Sequence, residues 1–265
     1  MKFVQFCVIA AIAATSLTWA GFAIAADEWG NIEGQFVLEG DIPVLKPIVA
    51  KGDPAVKDSK VCAANEVPDD SLAINPDNKG IANICLYIRK APKSVHPDLK
   101  ASAEKEIVFD QVGCRFFPHL LIVRTDQTVL VKSGDSISHN THTNPFKNSA
   151  QNLTIAANER KGVPYHMKQS ELAGVPVKVN CDIHPHMLAY WLVTDHPYVA
   201  VTDANGKFAI KNLPVGDHTF RVWHERPGYV NCAEFKKDVT IKVEAGKTTT
   251  LGPYKVKAEE FTKKK

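Results

Sequence analysis

The chain has 265 residues, with 32 lysines and arginines against 29 aspartates and glutamates and a formal net charge of +3. Such a balanced charge gives no argument for nucleic-acid binding, which usually needs a clustered basic surface. Its length is enough for one large or two modest domains with hydrophobic cores of their own.

The N-terminus has the composition of a secretory signal. Lys2 is followed by an apolar stretch over residues 3–20 and by small residues at 23–26, which is the order of a charged start, an apolar middle and a cleavage site. We expect residues 1–25 to be removed. The mature protein is then periplasmic or secreted, with no stable membrane span, because no later apolar run is long enough to cross a bilayer.

Five cysteines follow the signal, an odd number for an oxidising compartment, so at least one thiol stays outside disulfides. Cys62 and Cys114 lie among residues typical of turns, and we expect them to pair. Cys85 lies in the apolar run 81–88, where a buried and inert thiol is the simplest interpretation. Cys181, in contrast, stands among other potential metal ligands.

Short β-branched runs bounded by Gly, Pro, Asn or Asp indicate the secondary structure. Runs of this kind predict β-strands, and they lie at residues 34–38, 120–123, 128–131, 175–179 and 240–243. Helical signals are confined to residues 101–106 and 168–172, enough for a turn or two each. Many short strands with turns between them indicate an all-β sandwich or barrel.

The loop after one of these predicted strands carries the strongest chemical signal. Within seven residues it offers the Cys181 thiol, the His184 and His186 imidazoles and the Met187 thioether. A further imidazole, His139, lies upstream where another predicted strand gives way to a loop. Two imidazoles and one thiolate with a weak axial thioether form the blue-copper arrangement.

His139-Asn140 upstream, followed by Cys181, His184 and Met187 in order, resembles the cupredoxin pattern. The resemblance implies one type 1 copper ion held by His139, Cys181, His184 and Met187, with Asn140 tying the two ligand loops together. It also implies that the outer edge of His184 lies at the surface as an electron port. A mononuclear centre is expected, because the loop lacks the second bridging cysteine of the binuclear copper domains.

The axial position is open between two neighbouring residues. Met187 is favoured, because the resemblance selects methionine and adjacent residues on a tight loop point in different directions. His186 is the alternative, and a histidine there would lower the reduction potential and move the colour away from blue. His142, three residues after His139, is a further alternative or additional ligand.

A second resemblance begins downstream of the copper motif. Asn205-Gly206 between two predicted strands predicts a tight hairpin, because this pair readily adopts positive φ angles. The region resembles the second half of a carboxypeptidase-regulatory-like, or transthyretin-like, β-sandwich through Thr202-Asp203, Asn205-Gly206, Phe208, Leu213-Pro214, Gly216 and Gly228-Tyr229. Candidates for its opening strands lie far upstream, at residues 32–37 and 84–88.

Together the two resemblances imply a cupredoxin Greek-key β-sandwich inserted into a transthyretin-like β-sandwich, an arrangement that loop tips tolerate. Two domains in series are the alternative. The expected division is a signal peptide at 1–25, the first strands of the outer sandwich and a linker at 26–104, the copper domain at 105–194, the remainder of the outer sandwich at 195–257 and a basic tail at 258–265.

The expected function is therefore electron transfer by an exported, mononuclear type 1 copper protein with an unidentified redox partner. The alternatives are an extracytoplasmic copper carrier or store and a metal-free surface interaction module. No enzymatic activity is expected, because Cys181 is flanked by Asn180 and Asp182 and not by the His-Cys-His of multicopper enzymes. The common hydrolase and phosphate-binding motifs do not occur in the sequence either.

Overall fold

The structure, a computed structural model, describes residues 28–262. The predicted signal peptide at 1–25 and the last three residues of the basic tail, 263–265, lie outside the described residues. Among the helices of residues 28–262, none is both long and apolar enough to cross a membrane.

Strands form nearly all of the regular structure. They are, in chain order, β1 (Trp29–Glu39), β2 (Cys85–Ile88), β3 (Glu106–Gln111), β4 (Phe116–Phe117), β5 (Leu120–Arg124), β6 (Thr128–Val131), β7 (His139–Asn144), β8 (Asn152–Ile155), β9 (Val163–Tyr165), β10 (Val177–Asn180), β11 (Leu188–Thr194), β12 (Val199–Val201), β13 (Lys207–Pro214), β14 (Gly216–His224), β15 (Gly228–Tyr229), β16 (Asp238–Val243) and β17 (Thr248–Lys257). The described helices are α1 (Ser59–Cys62), α2 (Ala258–Thr262) and a 3-10 turn at Pro97–Leu99. The prediction of an all-β sandwich is confirmed.

The predicted helical turns at residues 101–106 and 168–172 are wrong. Both segments are irregular chain, apart from the start of β3 at Glu106. Their backbone groups bond to neighbouring segments and not to themselves. The Ser102 N–H donates to the Asp126 carboxylate at 2.8 Å, and the Glu171 N–H donates to the Val193 carbonyl at 3.0 Å. Tertiary partners thus replace the local hydrogen bonds that a helix would need.

The strands within residues 28–262 form four sheets. One pair of sheets, β13-β1-β17 and β12-β2-β14-β15 with β16 beside β14, contains the first two strands and the last six. The other pair, β5-β11-β10-β7-β8 and β4-β3-β6-β9, contains every strand from β3 to β11. The first strands of the chain therefore pair with its last strands, while the candidate ligands lie on the sheets built between them. The exact domain boundaries stay a prediction.

Each pair of sheets encloses its own apolar cluster. In the first, the Phe36 ring lies 5.7 Å from that of Phe208. In the second, the Trp191 ring lies 5.1 Å from both Phe109 and Tyr165, nearly perpendicular to each. A smaller cluster contains residues of β2, β5, β11, β12 and β14 and so joins the two pairs. The candidate metal ligands adjoin the Trp191 cluster, which gives them a rigid base.

The Asn205-Gly206 turn forms, but the hairpin predicted around it is wrong. Gly206 has a φ of 73°, and its N–H donates to the Asp203 carbonyl at 2.9 Å. However, β12 before the turn pairs with β2, whereas β13 after it pairs with β1. A Cβ atom on Gly206 would lie 2.2 Å from the Phe36 carbonyl oxygen, because the turn packs directly on β1. The turn therefore passes the chain from one sheet to the other.

Cys62 and Cys114 form a disulfide, the pairing expected from the sequence. Among the described residues Cys85, Cys181 and Cys232 are free thiols. Cys85 is completely buried, and this burial raises the pKa of its thiol far above the ordinary range. An uncharged and inaccessible thiol of this kind is inert, as the sequence suggested.

Candidate metal centre

The pairing of β7 with β10 brings the two ligand segments together. These strands are antiparallel, with Asn180 opposite His142. The chain after Asn180 therefore runs beside the first residues of β7, and Cys181 comes next to His139. The antiparallel pairing of β7 with β10 therefore determines how close Cys181 lies to His139.

The loop from Cys181 to Met187 closes between β10 and β11. The Cys181 N–H donates to the Met187 carbonyl at 3.3 Å, and the Met187 N–H donates to the His184 carbonyl at 2.9 Å. These two bonds fold the loop back on itself, so that three candidate ligands lie at one end of the sheet.

Three buried residues, His139, Cys181 and His184, offer ligand atoms that all lie within 4.8 Å of one another. The Nδ1 atoms of His139 and His184 are 3.0 Å apart, and Cys181 Sγ lies 3.8 Å from His184 Nδ1. Nitrogen and sulfur atoms bonded to one ion at about 2.0 and 2.3 Å lie about 3.3–3.8 Å from each other. The separation of Cys181 Sγ from His184 Nδ1 lies within this range. The two Nδ1 atoms are about 0.3 Å closer than its lower end, so a small outward movement of the rings would let the three side chains hold a single small ion.

The other nitrogen of each ring is bound to a carboxylate. His139 Nε2 lies 2.8 Å from Asp135 Oδ2, and His184 Nε2 lies 3.0 Å from Asp58 Oδ2. An ionised carboxylate only accepts hydrogen bonds, so each neutral ring carries its proton on Nε2 and its lone pair on Nδ1. Two lone pairs and a sulfur atom then face one another away from water, and such a group needs a cation or a proton between its members.

The ionisation of these groups follows from the same contacts. Burial opposes the charged form of His139, but its hydrogen bond to Asp135 and the nearby Cys181 sulfur raise the pKa of His139 to about 9. Burial also opposes the Cys181 thiolate, yet hydrogen bonds from His139 and from backbone groups hold the pKa of Cys181 below its ordinary value. The pKa of His184 is lowered, chiefly by burial. The site thus favours a thiolate with one positive charge beside it.

Asn140 joins the two ligand segments. Its Oδ1 accepts the Asp182 N–H at 2.8 Å and the Ile183 N–H at 3.2 Å. Its own backbone N–H donates to Cys181 Sγ at 3.5 Å. Hydrogen bonds to a thiolate sulfur stabilise the negative charge and tune the metal that the sulfur binds.

Met187 and His186, the two axial candidates, have different surroundings. Met187 is buried in the same apolar cluster as Cys181. His186 is not part of the converging group, and its ring centre lies 6.2 Å from that of His184. Its Nε2 is buried and finds no hydrogen-bond partner within residues 28–262. It lines a cavity of about 150 Å³ on the Met187 side of the loop.

His142, the further alternative, is turned away from the three ligand atoms. Its Nδ1 lies 3.0 Å from Asp182 Oδ2, on a partly exposed part of the sheet. The hydrogen bond from His142 holds the pKa of Asp182 below its ordinary value. His142 therefore has a carboxylate partner and is not brought to the converging group.

The outer edge of His184 does not lie at the surface, so the predicted electron port is wrong. The residue is only 1% exposed, and the Asp58 carboxylate covers its Nε2. Asp58 precedes α1, which the Cys62–Cys114 disulfide ties to the second pair of sheets. The covering segment belongs to the chain itself.

Sequence reasoning did not identify the two carboxylates. Asp135 lies four positions before His139, and that proximity was an available signal. The backbone N–H groups of Gly113 and Cys114 fix it by donating to its two oxygens at 2.6 and 2.8 Å. Asp58 has no comparable signal, because its approach depends on folding of a distant segment.

Comparison with known proteins gives matches in structure only. No protein-family profile matches the chain, and no curated protein matches it in sequence. Solved structures similar to part of it include amicyanin from Paracoccus versutus, which is 12% identical with a TM-score of 0.29 over 41% of this chain and 97% of that one. A purple cupredoxin from Nitrosopumilus maritimus is 14% identical with a TM-score of 0.27 over 34% of this chain and 100% of its own.

A copper-containing nitrite reductase from Thermus scotoductus SA-01 is also similar, 17% identical with a TM-score of 0.26 over 34% of this chain and 22% of the enzyme. These values are too low to assign a metal or an activity. The structural neighbours thus include cupredoxins, at low identity and low coverage of this chain, whereas the transthyretin-like resemblance stays a prediction.

Proposed function

We propose that this protein binds one copper ion through His139, Cys181 and His184, with Met187 as a weak axial ligand, and acts in electron transfer. One observation carries the proposal: both buried imidazoles have Nε2 tied to a carboxylate, so both Nδ1 atoms turn toward the thiol. Two imidazoles and a thiolate are the trigonal donor set of type 1 copper sites. The chemistry that bound copper supplies there is uptake of one electron from a reduced partner protein and its release to an oxidised one.

The protein's own groups would keep the donor atoms in place while the charge changes. Asp135 and Asp58 each hold one ring in a fixed tautomer and orientation. Asn140 fixes the loop after β10 and donates its N–H to the Cys181 sulfur. Little then has to rearrange when an electron arrives, which favours rapid exchange.

Met187 is proposed as the axial ligand in preference to His186. Met187 is buried in the same cluster as Cys181, whereas His186 lies outside the converging group. His142 is not proposed as a ligand, because it is bound to Asp182.

The setting of the site is also a proposal. The signal-like residues 1–25 support an exported location, and the absence of a recognisable catalytic motif supports a role without enzymatic turnover. In this proposal the sheets that contain β1, β2 and β12–β17 form a transthyretin-like sandwich that tethers the copper domain.

A copper carrier or store is the second candidate, and the burial of His184 favours it. With Asp58 over the imidazole edge, a partner cannot touch that edge directly. A closed site suits retention of an ion better than rapid exchange of electrons. A reversible one-electron couple at an electrode supports electron transfer, whereas tight binding of Cu(I) alone supports the carrier.

The test is the absorption and paramagnetic-resonance spectrum of the full mature protein loaded with Cu(II). We expect an intense thiolate-to-copper band that Cys181→Ser abolishes. Cys85→Ser is the matched control, because Cys85 is an equally buried free thiol outside the converging group. A band that survives in Cys181→Ser contradicts the ligand assignment. A metal-free mass after copper supplementation contradicts both copper functions and favours the interaction module.

A further inference from the structure

The segment of residues 48–67 forms a closed loop over the candidate metal centre, and we name it the cap segment. Its ends are joined by the Ile48 N–H, which donates to the Val67 carbonyl, and by the Val67 N–H, which donates to the Val49 carbonyl, both at 2.9 Å. Inside it, Val56 and Val61 pack against the apolar cluster that contains Cys181. The cap segment is therefore built onto the metal-bearing sheets.

Asp58 has an unusual conformation within this segment. Its φ of 53° and ψ of 40° lie in the left-handed region, which non-glycine residues adopt infrequently. It occupies the position before α1 where an aspartate usually bonds a free N–H of the helix, yet its side chain makes no such bond. Its carboxylate instead reaches His184 Nε2 at 3.0 Å. Asp58 thus bonds a histidine distant in sequence and does not cap the helix that follows it.

A covalent bond fixes this arrangement. The Asp58 carbonyl accepts the N–H of Cys62 at 3.0 Å, and Cys62 is joined to Cys114. The Cys114 N–H in turn donates to Asp135, the carboxylate that holds His139. The disulfide thus lies between the supports of both imidazoles, and it restrains Asp58 and Asp135 together.

We propose that Asp58 is a positioning residue of the metal centre, which orients His184 and closes its outer edge against solvent. This inference rests on the proposed copper function and deepens it. By accepting the Nε2 proton of His184, Asp58 keeps Nδ1 directed toward Cys181 and makes the imidazole a stronger donor. Its negative charge also favours Cu(II) over Cu(I), and so lowers the reduction potential.

The test compares Asp58→Asn with the wild type in the full, disulfide-bonded, copper-loaded protein. The amide keeps the size of the side chain and removes its charge. We expect a higher reduction potential and an altered paramagnetic-resonance spectrum of the Cu(II) form. After reduction of the copper with excess ascorbate, we expect its loss to the Cu(I) chelator bicinchoninate to be about tenfold faster or more. Asp58→Glu, which restores a carboxylate, should recover part of each effect.

Asp53→Asn is the matched control. Asp53 lies in the same cap segment, and its carboxylate accepts the Ala55 N–H at 2.9 Å, a bond within its own segment. This variant should leave the spectrum and the potential unchanged. A purely structural role of Asp58 would change copper release but not the potential, and Asp58→Glu would then give no recovery of the spectrum.

The two proposals fail in different ways. A copper-loaded wild type with a thiolate band, matched in spectrum, potential and release rate by Asp58→Asn, overturns the positioning role and leaves the copper function standing. A wild type that takes up no copper overturns the copper function, and the positioning role falls with it. Circular dichroism and thiol titration of Asp58→Asn must show native strand content and an intact disulfide.

Discussion

Loss of the Cys62–Cys114 disulfide is expected to destabilise the metal-free protein by about 4 kcal/mol. The two cysteines are separated by 52 positions, and the loop-closure model gives about this value for a loop of that length. For a protein of this size each kcal/mol corresponds to about 2–4 °C in melting temperature, so the midpoint should fall by about 8–16 °C. The same change removes the covalent link between residues 48–67 and the sheets beneath them.

The assay is urea unfolding of the Cys62→Ser, Cys114→Ser double variant, followed by circular dichroism in the presence of a metal chelator. Cys232→Ser is the control, because this thiol is free and only partly buried, and we expect it to cost less than about 1 kcal/mol. A reducing agent should bring the wild type to the stability of the double variant. A loss below about 1 kcal/mol in the double variant, with an unchanged urea dependence, would refute the reasoning from loop closure.

Three further predictions concern residues that are not proposed as ligands. Trp191→Ala should lower the free energy of unfolding by about 3–5 kcal/mol in urea titrations, since the ring is fully buried. Trp191→Phe should lower it clearly less, because the indole N–H has no hydrogen-bond partner among residues 28–262 that the change would remove. Gly206→Ala should cost about 1–3 kcal/mol for its positive φ alone, with a further loss from the clash with Phe36, and thermal melting measures it. Burial opposes the charged form of Asp126, but hydrogen bonds from Ser102 and nearby cations hold its pKa far below the ordinary value. The ionised carboxylate therefore stabilises the fold above the unfolded-state pKa near 4, and this stabilisation is lost as the pH falls. Asp126→Asn should lower the melting temperature at pH 7 and have little effect on it in acid.

The strands and the ligand group followed from local sequence because their signals are local. Short β-branched runs predict strands wherever the partner happens to lie. Cys181 and His184 are three positions apart, so any turn after β10 keeps them close. His139 could be added because a ligand at a strand end needs only the pairing of two strands to reach the loop.

The covering of His184 could not be predicted in this way. It depends on Asp58, whose left-handed conformation has no signal in the sequence. The Cys62–Cys114 disulfide was expected, but the pairing of two cysteines does not show which side chain it brings to His184. The error at Asn205-Gly206 has a related cause: the turn chemistry was identified correctly, but a turn does not determine which sheets its two strands join. In both cases contacts between distant segments decided the outcome.

The parallel pairing of β1 with β17 has a consequence for biosynthesis. Asn31 lies opposite Thr248 in this ladder. The sheet that contains β1 therefore cannot be completed until β17 has been synthesised. The sheets from β3 to β11 have all their strands available much earlier. During that interval β1 exposes open hydrogen-bonding edges, which invite pairing with other chains. Because closing so long a loop costs chain entropy, we expect the pairing of β1 with β17 to be among the slower steps of folding.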